Sequence, residues 1–240
     1  MRWIYISPHL DDAILSAGGL IYDQVHAGHE VEIWTMVCGY PSDQEASPFA
    51  RELHEKWGFH SIEETVRSRR EENRLAAKIV GARDVYFDFI DCIYRRGRDG
   101  NWLYTTNTFV PPHPDDEDIP ARMTQSLLEK LKPDDVIVCP LAIGGHTDHV
   151  IVRRAVEGLS RPLFYYADIP YLLDNSSALK PIKAGMKAKY IWISGKGLSA
   201  WQDGASAYSS QIALEFESQK KMRSAIARYG RWSFRLWALP

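Results

Sequence analysis

Trp3-Ile4-Tyr5-Ile6-Ser7-Pro8-His9-Leu10-Asp11-Asp12 is an apolar run followed by an imidazole and two carboxylates. Trp3 to Ser7 reads as a strand. Ala13 to Ala27 reads as a helix, with Ile14, Ala17, Ile21 and Val25 at helical spacing and Gly28 as its stop. His9, Asp11 and Asp12 therefore fall at the C-terminal end of a first strand, where ligands bind in open α/β sheets. A second stretch repeats the arrangement: Val136-Ile137-Val138-Cys139 is followed by Gly144-Gly145 and then His146-Thr147-Asp148-His149. Two His/Asp clusters, each behind a strand, fit a hydrolytic metal site built from strand-end loops.

Strands and helices alternate outward from the first stretch. Val31 to Val37 and Val85 to Ile90 read as strands, Glu63 to Val80 as a charged helix stopped by Gly81, and Ile119 to Leu131 as an amphipathic helix. Val150 to Leu159 follows as a helix, Leu163 to Tyr166 and Tyr190 to Ile193 as strands, and Ser206 to Tyr229 as a long C-terminal helix before a tail to 240. This order predicts an α/β fold over residues 1–240: one domain, a mostly parallel sheet and helices on both faces. Residues 94–118 lack a period and are rich in Gly, Asn, Asp and Pro, as expected of a functional loop. Arg95, Arg96, Arg98, Trp102 and Tyr104 in it would suit contacts with a sugar. Gly18-Gly19 lies inside the first helix without a phosphate-loop pattern, and predicts close helix packing. Trp232, Phe234 and Trp237 are expected at a subunit contact.

The chain has 240 residues, a net charge of −2, 45% hydrophobic and 25% charged residues. That balance gives no reason to expect a nucleic-acid or membrane-surface partner. No apolar run approaches the roughly 18 residues that span a bilayer, and the N-terminus leads directly into a strand. Cytoplasmic residence is the expectation. Cys38, Cys92 and Cys139 are odd in number and set in apolar segments, so they are expected as reduced core thiols.

A catalytic zinc takes three protein ligands and keeps a position open for water. His9, Asp12 and His149 meet that requirement from two separated segments, which makes Zn2+ the expected cofactor. The metal would lower the pKa of water from about 15.7 to about 7. Asp11 could then take a proton and His146 could stabilise an oxyanion or protonate a leaving amine. Asp148 would accept a ring N–H and fix a histidine tautomer. Each cluster alone also fits an ordinary helix start; their joint occurrence favours the site.

Pro8-His9-Leu10-Asp11-Asp12 resembles the A/P-H-P-D-D signature of the PIG-L/LmbE-like N-acetylglucosamine deacetylases, and His146-Thr147-Asp148-His149 resembles their H-x-D-H. Arg69-x-x-Glu72 with Ala76, Asp91 after the third strand, and Tyr208-Ser209-Ser210-Gln211 are similar to weaker family features. The resemblance implies a Rossmann-like fold and zinc-dependent hydrolysis of an N-acetylated amino sugar or glycoconjugate. It implies His9, Asp12 and His149 as metal ligands, Asp11 as base, His146 at the tetrahedral intermediate with Asp148 orienting it, and Arg69 and Asp91 toward substrate. A homo-oligomer is a fold-level expectation only. Leu10 stands where the family has Pro, Ala13 where it has Glu, and Gly144 where some members have Tyr. Two other readings stay open: a metal-dependent hydrolase of another bond, such as a phosphoester, and an inactive sugar-binding homologue. His113-Pro114-Asp115-Asp116-Glu117 matches the string H-P-D-D-E more literally, but it follows Pro111-Pro112 in the long loop and is expected to be a solvated acidic turn.

Overall fold

A computed structural model describes residues 1–232 and 234–240, apart from the side chain of Trp232. The strands are β1 (Arg2–Ser7), β2 (Glu30–Val37), β3 (Arg83–Phe89), β4 (Val136–Pro140), β5 (Leu163–Tyr166), β6 (Lys187–Tyr190) and β7 (Arg235–Ala238). The helices are α1 (Asp12–His26), α2 (Pro48–Trp57), α3 (Ile62–Val80), α4 (Ile119–Leu128), α5 (Thr147–Glu157), α6 (Tyr171–Asp174), α7 (Leu179–Ile182), α8 (Gly195–Ser206), α9 (Ser209–Phe216) and α10 (Gln219–Trp232). Among the described residues no helix is long and apolar enough to cross a membrane.

The strands form one sheet in the order β3-β2-β1-β4-β5-β7-β6. β1 to β5 pair in parallel; β7 runs antiparallel to both β5 and β6. β1 is central, and Ile4, Tyr5 and Ile6 are fully buried. A strand covered on both faces reads as a continuous apolar run rather than an alternation, which is why Trp3–Ile6 and Val136–Cys139 look as they do. Each buried Ile there contributes about 1.5–3 kcal/mol. The sheet is wound from β1 toward β3 on one side and from β4 toward β5 on the other. Right-handed crossovers then place the two sets of helices on opposite faces. Accordingly, α1, α3, α8 and α10 pack together, and α4 packs with α5. The winding reverses between β1 and β4, so the two His/Asp clusters sit side by side at the switch point.

Several expectations are corrected. Ser206–Tyr229 is not one helix: α9 ends at Phe216, the next residue Glu217 has a φ of 62°, and α10 begins afresh at Gln219. The Tyr190–Ile193 strand lies at Lys187–Tyr190. Phe234 and Trp237 are buried in the core, so neither offers a subunit contact; the Trp232 side chain lies outside the described residues. Helix α2 was not anticipated, although Ser47 caps it through the Ala50 N–H and Pro48 opens it. Pro114–Asp116 forms a 3-10 turn whose Asp116 is buried rather than solvated. Cys38, Cys92 and Cys139 are buried and unbridged.

Candidate active site

The end of β1 supplies His9 and Asp11, and the first residue of α1 is Asp12. Asp11 occupies the N-cap position of α1, yet its carboxylate makes no capping bond. It points instead toward Arg69 of α3, whose Nη2 is 3.4 Å from Asp11 Oδ2. The end of β4 leads through Gly144 and Gly145, both at positive φ, into His146 as N-cap and Asp148 and His149 in the first turn of α5. Asp91 follows β3. These eight residues converge: His9, Asp11, Asp12, Arg69, Asp91 and His146 line a cavity of about 140 Å³, and Asp148 and His149 lie fully buried beside it.

Asp12 joins the two histidines. Its Oδ2 lies 3.3 Å from His9 Nδ1 and its Oδ1 lies 3.3 Å from His149 Nε2. The remaining nitrogen of each ring is held by a buried carboxylate. His9 Nε2 donates to Asp148 Oδ2 at 3.2 Å, and His149 Nδ1 donates to Asp168 Oδ1 at 2.8 Å. His149 Nε2 is buried and has no hydrogen-bond partner among the described residues. A buried ring nitrogen facing a carboxylate oxygen outside hydrogen-bond geometry is an arrangement that a cation between them would satisfy. Carboxylates bonded to the outer nitrogens of ligating histidines are the usual support of such a cation. The nitrogen and oxygen donors suit zinc and its first-row neighbours alike. Ligand atoms of His9, His146 and His149 also lie within 4.8 Å of one another, as do those of Cys92, His146 and Asp148, and those of His9, Asp91 and Asp148. Burial pushes the Cys92 thiol well above its ordinary value, which disfavours it as a ligand.

The electrostatics differ from residue to residue. Burial raises the Asp11 carboxyl above its usual value, against the pull of Arg69. Burial also opposes the charge on Asp12, but His149 and His9 outweigh it and hold Asp12 well below the carboxylate range. His149 is pushed up to about 9: burial works against its charged form, and Asp12 and Asp168 prevail. Burial, followed by the charges of His9 and His149, depresses His146. His146 Nδ1 accepts the Asp148 backbone N–H at 3.2 Å, so a neutral ring carries its proton on Nε2.

That bond corrects one expectation. The Asp148 carboxylate makes no hydrogen bond to the His146 ring; it holds His9, the Cys92 N–H at 3.0 Å and the Arg95 guanidinium. The long loop is corrected too. Arg95 and Tyr104 are buried and bonded to Asp116, and Arg96 stacks on Trp102 while pairing with Asp43 and Glu45. From 94–118, Thr108 and Phe109 line the cavity instead. His54 is buried, with its Nε2 2.5 Å from Tyr94 Oη.

Some of the site and its surroundings escaped sequence reasoning. Asp168 follows β5 as Asp11 follows β1 and Asp91 follows β3, and that shared placement was the available signal. Gln211 and Glu215 reach the cavity from α9. Burial and the charges of Asp11 and Asp12 raise Glu215 to about 7. Glu72 anchors this wall by accepting the Ser210 N–H at 2.8 Å and both serine hydroxyls of Ser209-Ser210. Trp57 of α2 lies 5.0 Å from the Arg69 guanidinium, face on.

Known proteins share this architecture. A 2'-N-acetylparomamine deacetylase of Niallia circulans is 27% identical over 195 residues, covering 74% of this chain and 70% of its own length. The zinc-inhibited form of teicoplanin deacetylase Orf2 superposes with a TM-score of 0.84 at 26% identity, over 99% of this chain and 97% of that one. A deacetylase–teicoplanin complex superposes with a TM-score of 0.81 at 25% identity, over 99% and 97%. Residues 4–159 match the family described as PIG-L, GlcNAc-PI de-N-acetylase, a span that takes in both His/Asp clusters. With β1, β4 and the two clusters in the family's order, the chain belongs to the PIG-L family of metal-dependent deacetylases.

Proposed function

We propose that this chain hydrolyses the N-acetyl group of an amino sugar, or of a conjugate carrying one, with Asp11 as general base. The observation that carries the reading is the unsatisfied His149 Nε2 facing Asp12 beside a carboxylate that caps nothing. His9, Asp12 and His149 would hold a divalent ion such as zinc, which supplies Lewis-acid activation of water and acyl oxygen when bound.

Asp11, raised by burial, accepts the proton of the attacking water. Arg69 keeps that carboxylate turned toward the cavity. The neutral His146 ring, with its proton on Nε2, is a hydrogen-bond donor for the oxyanion that develops at the acyl carbon. It serves there without first having to be charged. Asp148 orients the His9 ring through its carboxylate and the His146 ring through its backbone N–H. Asp91, whose Oδ2 lies 3.8 Å from His9 Nε2, stands on the cavity wall within reach of sugar hydroxyls. Trp57, Phe109 and Tyr171 offer apolar faces for a pyranose ring, and half-exposed Phe109 and Leu214 at the rim suit an attached aglycone. The relatives named above act on acetylated paromamine and on teicoplanin, which supports an amino-sugar substrate with a bulky attachment.

The test combines metal analysis with acetate release from a panel of N-acetylated amino sugars and their glycoconjugates. Near-stoichiometric metal and acetate release that a chelator abolishes would support the reading. Bound metal with no acetate from any member would overturn it in favour of another scissile bond.

A further inference from the structure

The H-P-D-D-E string, His113–Glu117, lies outside the cavity and has no part in the reaction proposed above. Its Asp116 is nevertheless buried, and Asp116 Oδ2 accepts from Arg95 Nη1 at 2.8 Å and from Tyr104 Oη at 2.7 Å. The Tyr104 hydroxyl oxygen in turn accepts the His113 N–H at 2.8 Å, which closes the turn on itself. Arg95 is buried too. Its Nη2 bonds Asp148 Oδ1, and its Nε donates to the Ile90 carbonyl at 3.2 Å. All three sides of the guanidinium are therefore engaged and its plane is fixed. Asp148 uses its other oxygen for His9 Nε2 and the Cys92 N–H.

We propose that Arg95 and Asp116 are positioning residues for the metal ligand His9, acting through Asp148. The proposal rests on the metal-site reading above. One guanidinium lies between two buried carboxylates, and a planar fork can hold both in fixed directions. Lysine, a point charge on a flexible stem, cannot. With the fork intact, Asp148 has one orientation, and so does the His9 ring whose Nδ1 faces Asp12. Groups that orient metal-bound histidines commonly change metal affinity 10–100-fold when lost. The acidic turn thus serves the site from outside it.

The test uses full-length protein, stripped of metal and titrated with Zn2+ against a competing chelator, and with Co2+ for its visible absorption. Arg95→Lys and Asp116→Asn are compared with Arg96→Ala, which loosens the same loop at Asp43 and Glu45 without touching Asp148. About 10–100-fold weaker Zn2+ binding in Arg95→Lys is expected. A smaller loss in Asp116→Asn and altered Co2+ spectra in both are expected, with wild-type values in Arg96→Ala. Thermal midpoints of the metal-free proteins separate this from simple loosening. Wild-type affinity and spectra in both variants, even with lowered midpoints, would overturn the proposal. If Arg95→Lys does not fold, Asp116→Asn decides. Failure of the wild-type protein to bind Zn2+ would overturn the metal-site reading itself.

Discussion

Asp11 and Asp12 are neighbours in sequence and opposites in environment. Asp12 faces two histidines and stays ionised far into acid, whereas burial raises Asp11 despite Arg69. Two carboxylates pushed apart in this way fit the proposed division into ligand and base. Asp11→Asn should therefore lower kcat by about 10²–10⁴ while Zn2+ binding persists; loss of the metal together with the activity would assign Asp11 to the ligand set. Glu215 supports a second prediction. Its carboxyl rises from 4.5 to about 7 because it is buried near Asp11 and Asp12. A raised carboxyl favours the protonated native state, so its contribution is complete below pH 4.5 and is lost as pH climbs through 7. Glu215→Gln keeps the neutral form. In metal-free protein its stability relative to wild type should grow between pH 5 and 8, by at most roughly 3 kcal/mol at 1.36 kcal/mol per unit. Chemical denaturation at several pH values measures this, and a flat difference would show the carboxyl unshifted. Of the site itself, the sequence made legible what lies directly behind a strand as a cluster: His9, Asp11, Asp12, His146 and His149. It marked Arg95 for contacts with a sugar and not for the fork that joins Asp116 and Asp148, because that fork depends on folding of the intervening loop. Asp168 was also missed, since one acid after a strand has no spacing partner to mark it.

At the level of elements, apolar runs and glycine stops were readable because they are local. β1, β4 and the Gly81 end of α3 fall where their residues place them. Gly18-Gly19 was legible as packing for the same reason. A Cβ built on Gly18 would lie 2.6 Å from Trp201 Cδ1, and one on Gly19 2.7 Å from Ile193 Cγ2. α1 and α8 touch along this strip. Gly18→Ala should cost about 1–3 kcal/mol through overpacking, seen as a lower thermal midpoint in the metal-free protein; an unchanged midpoint would mean that the Trp201 ring moves freely aside. The C-terminal break was not readable. Helical period continues through Glu217, which turns to φ 62° without being Gly or Asn. Its strain is offset by tertiary contacts of Ile212, Phe216 and Met222, all buried in the core. Glu217→Gly should accordingly raise the thermal midpoint, relieving on the order of 1 kcal/mol. The lost pairing with Lys221 is exposed and worth little.

For the whole molecule, a net charge of −2 conceals a strongly uneven distribution. Asp11, Asp12, Asp91, Asp148, Asp168 and Glu215 gather at one switch point, with Arg69 and Arg95 as nearby cations. A cation at His9, Asp12 and His149 would offset that excess and tie the ends of β1 and β4 together. In metal-free protein the proton on His149 does part of this work. Its pKa of about 9, held up by Asp12 and Asp168 against burial, exceeds the ordinary 6.5. A raised histidine stabilises the fold fully below pH 6.5, and that stabilisation is lost as pH rises through 9. The metal-free protein should therefore lose stability from this group across pH 6.5 to 9. Protein with zinc on His149 should not, because the metal would replace the proton on the same nitrogen. The rise in thermal midpoint caused by saturating Zn2+ should consequently grow from pH 6.5 to 8.5, and binding at pH 7 should release protons. Calorimetry in buffers of different ionisation enthalpy counts those protons directly. A midpoint gain independent of pH, with no proton released, would mean that the metal and the His149 proton do not compete, and would move the ion away from His149.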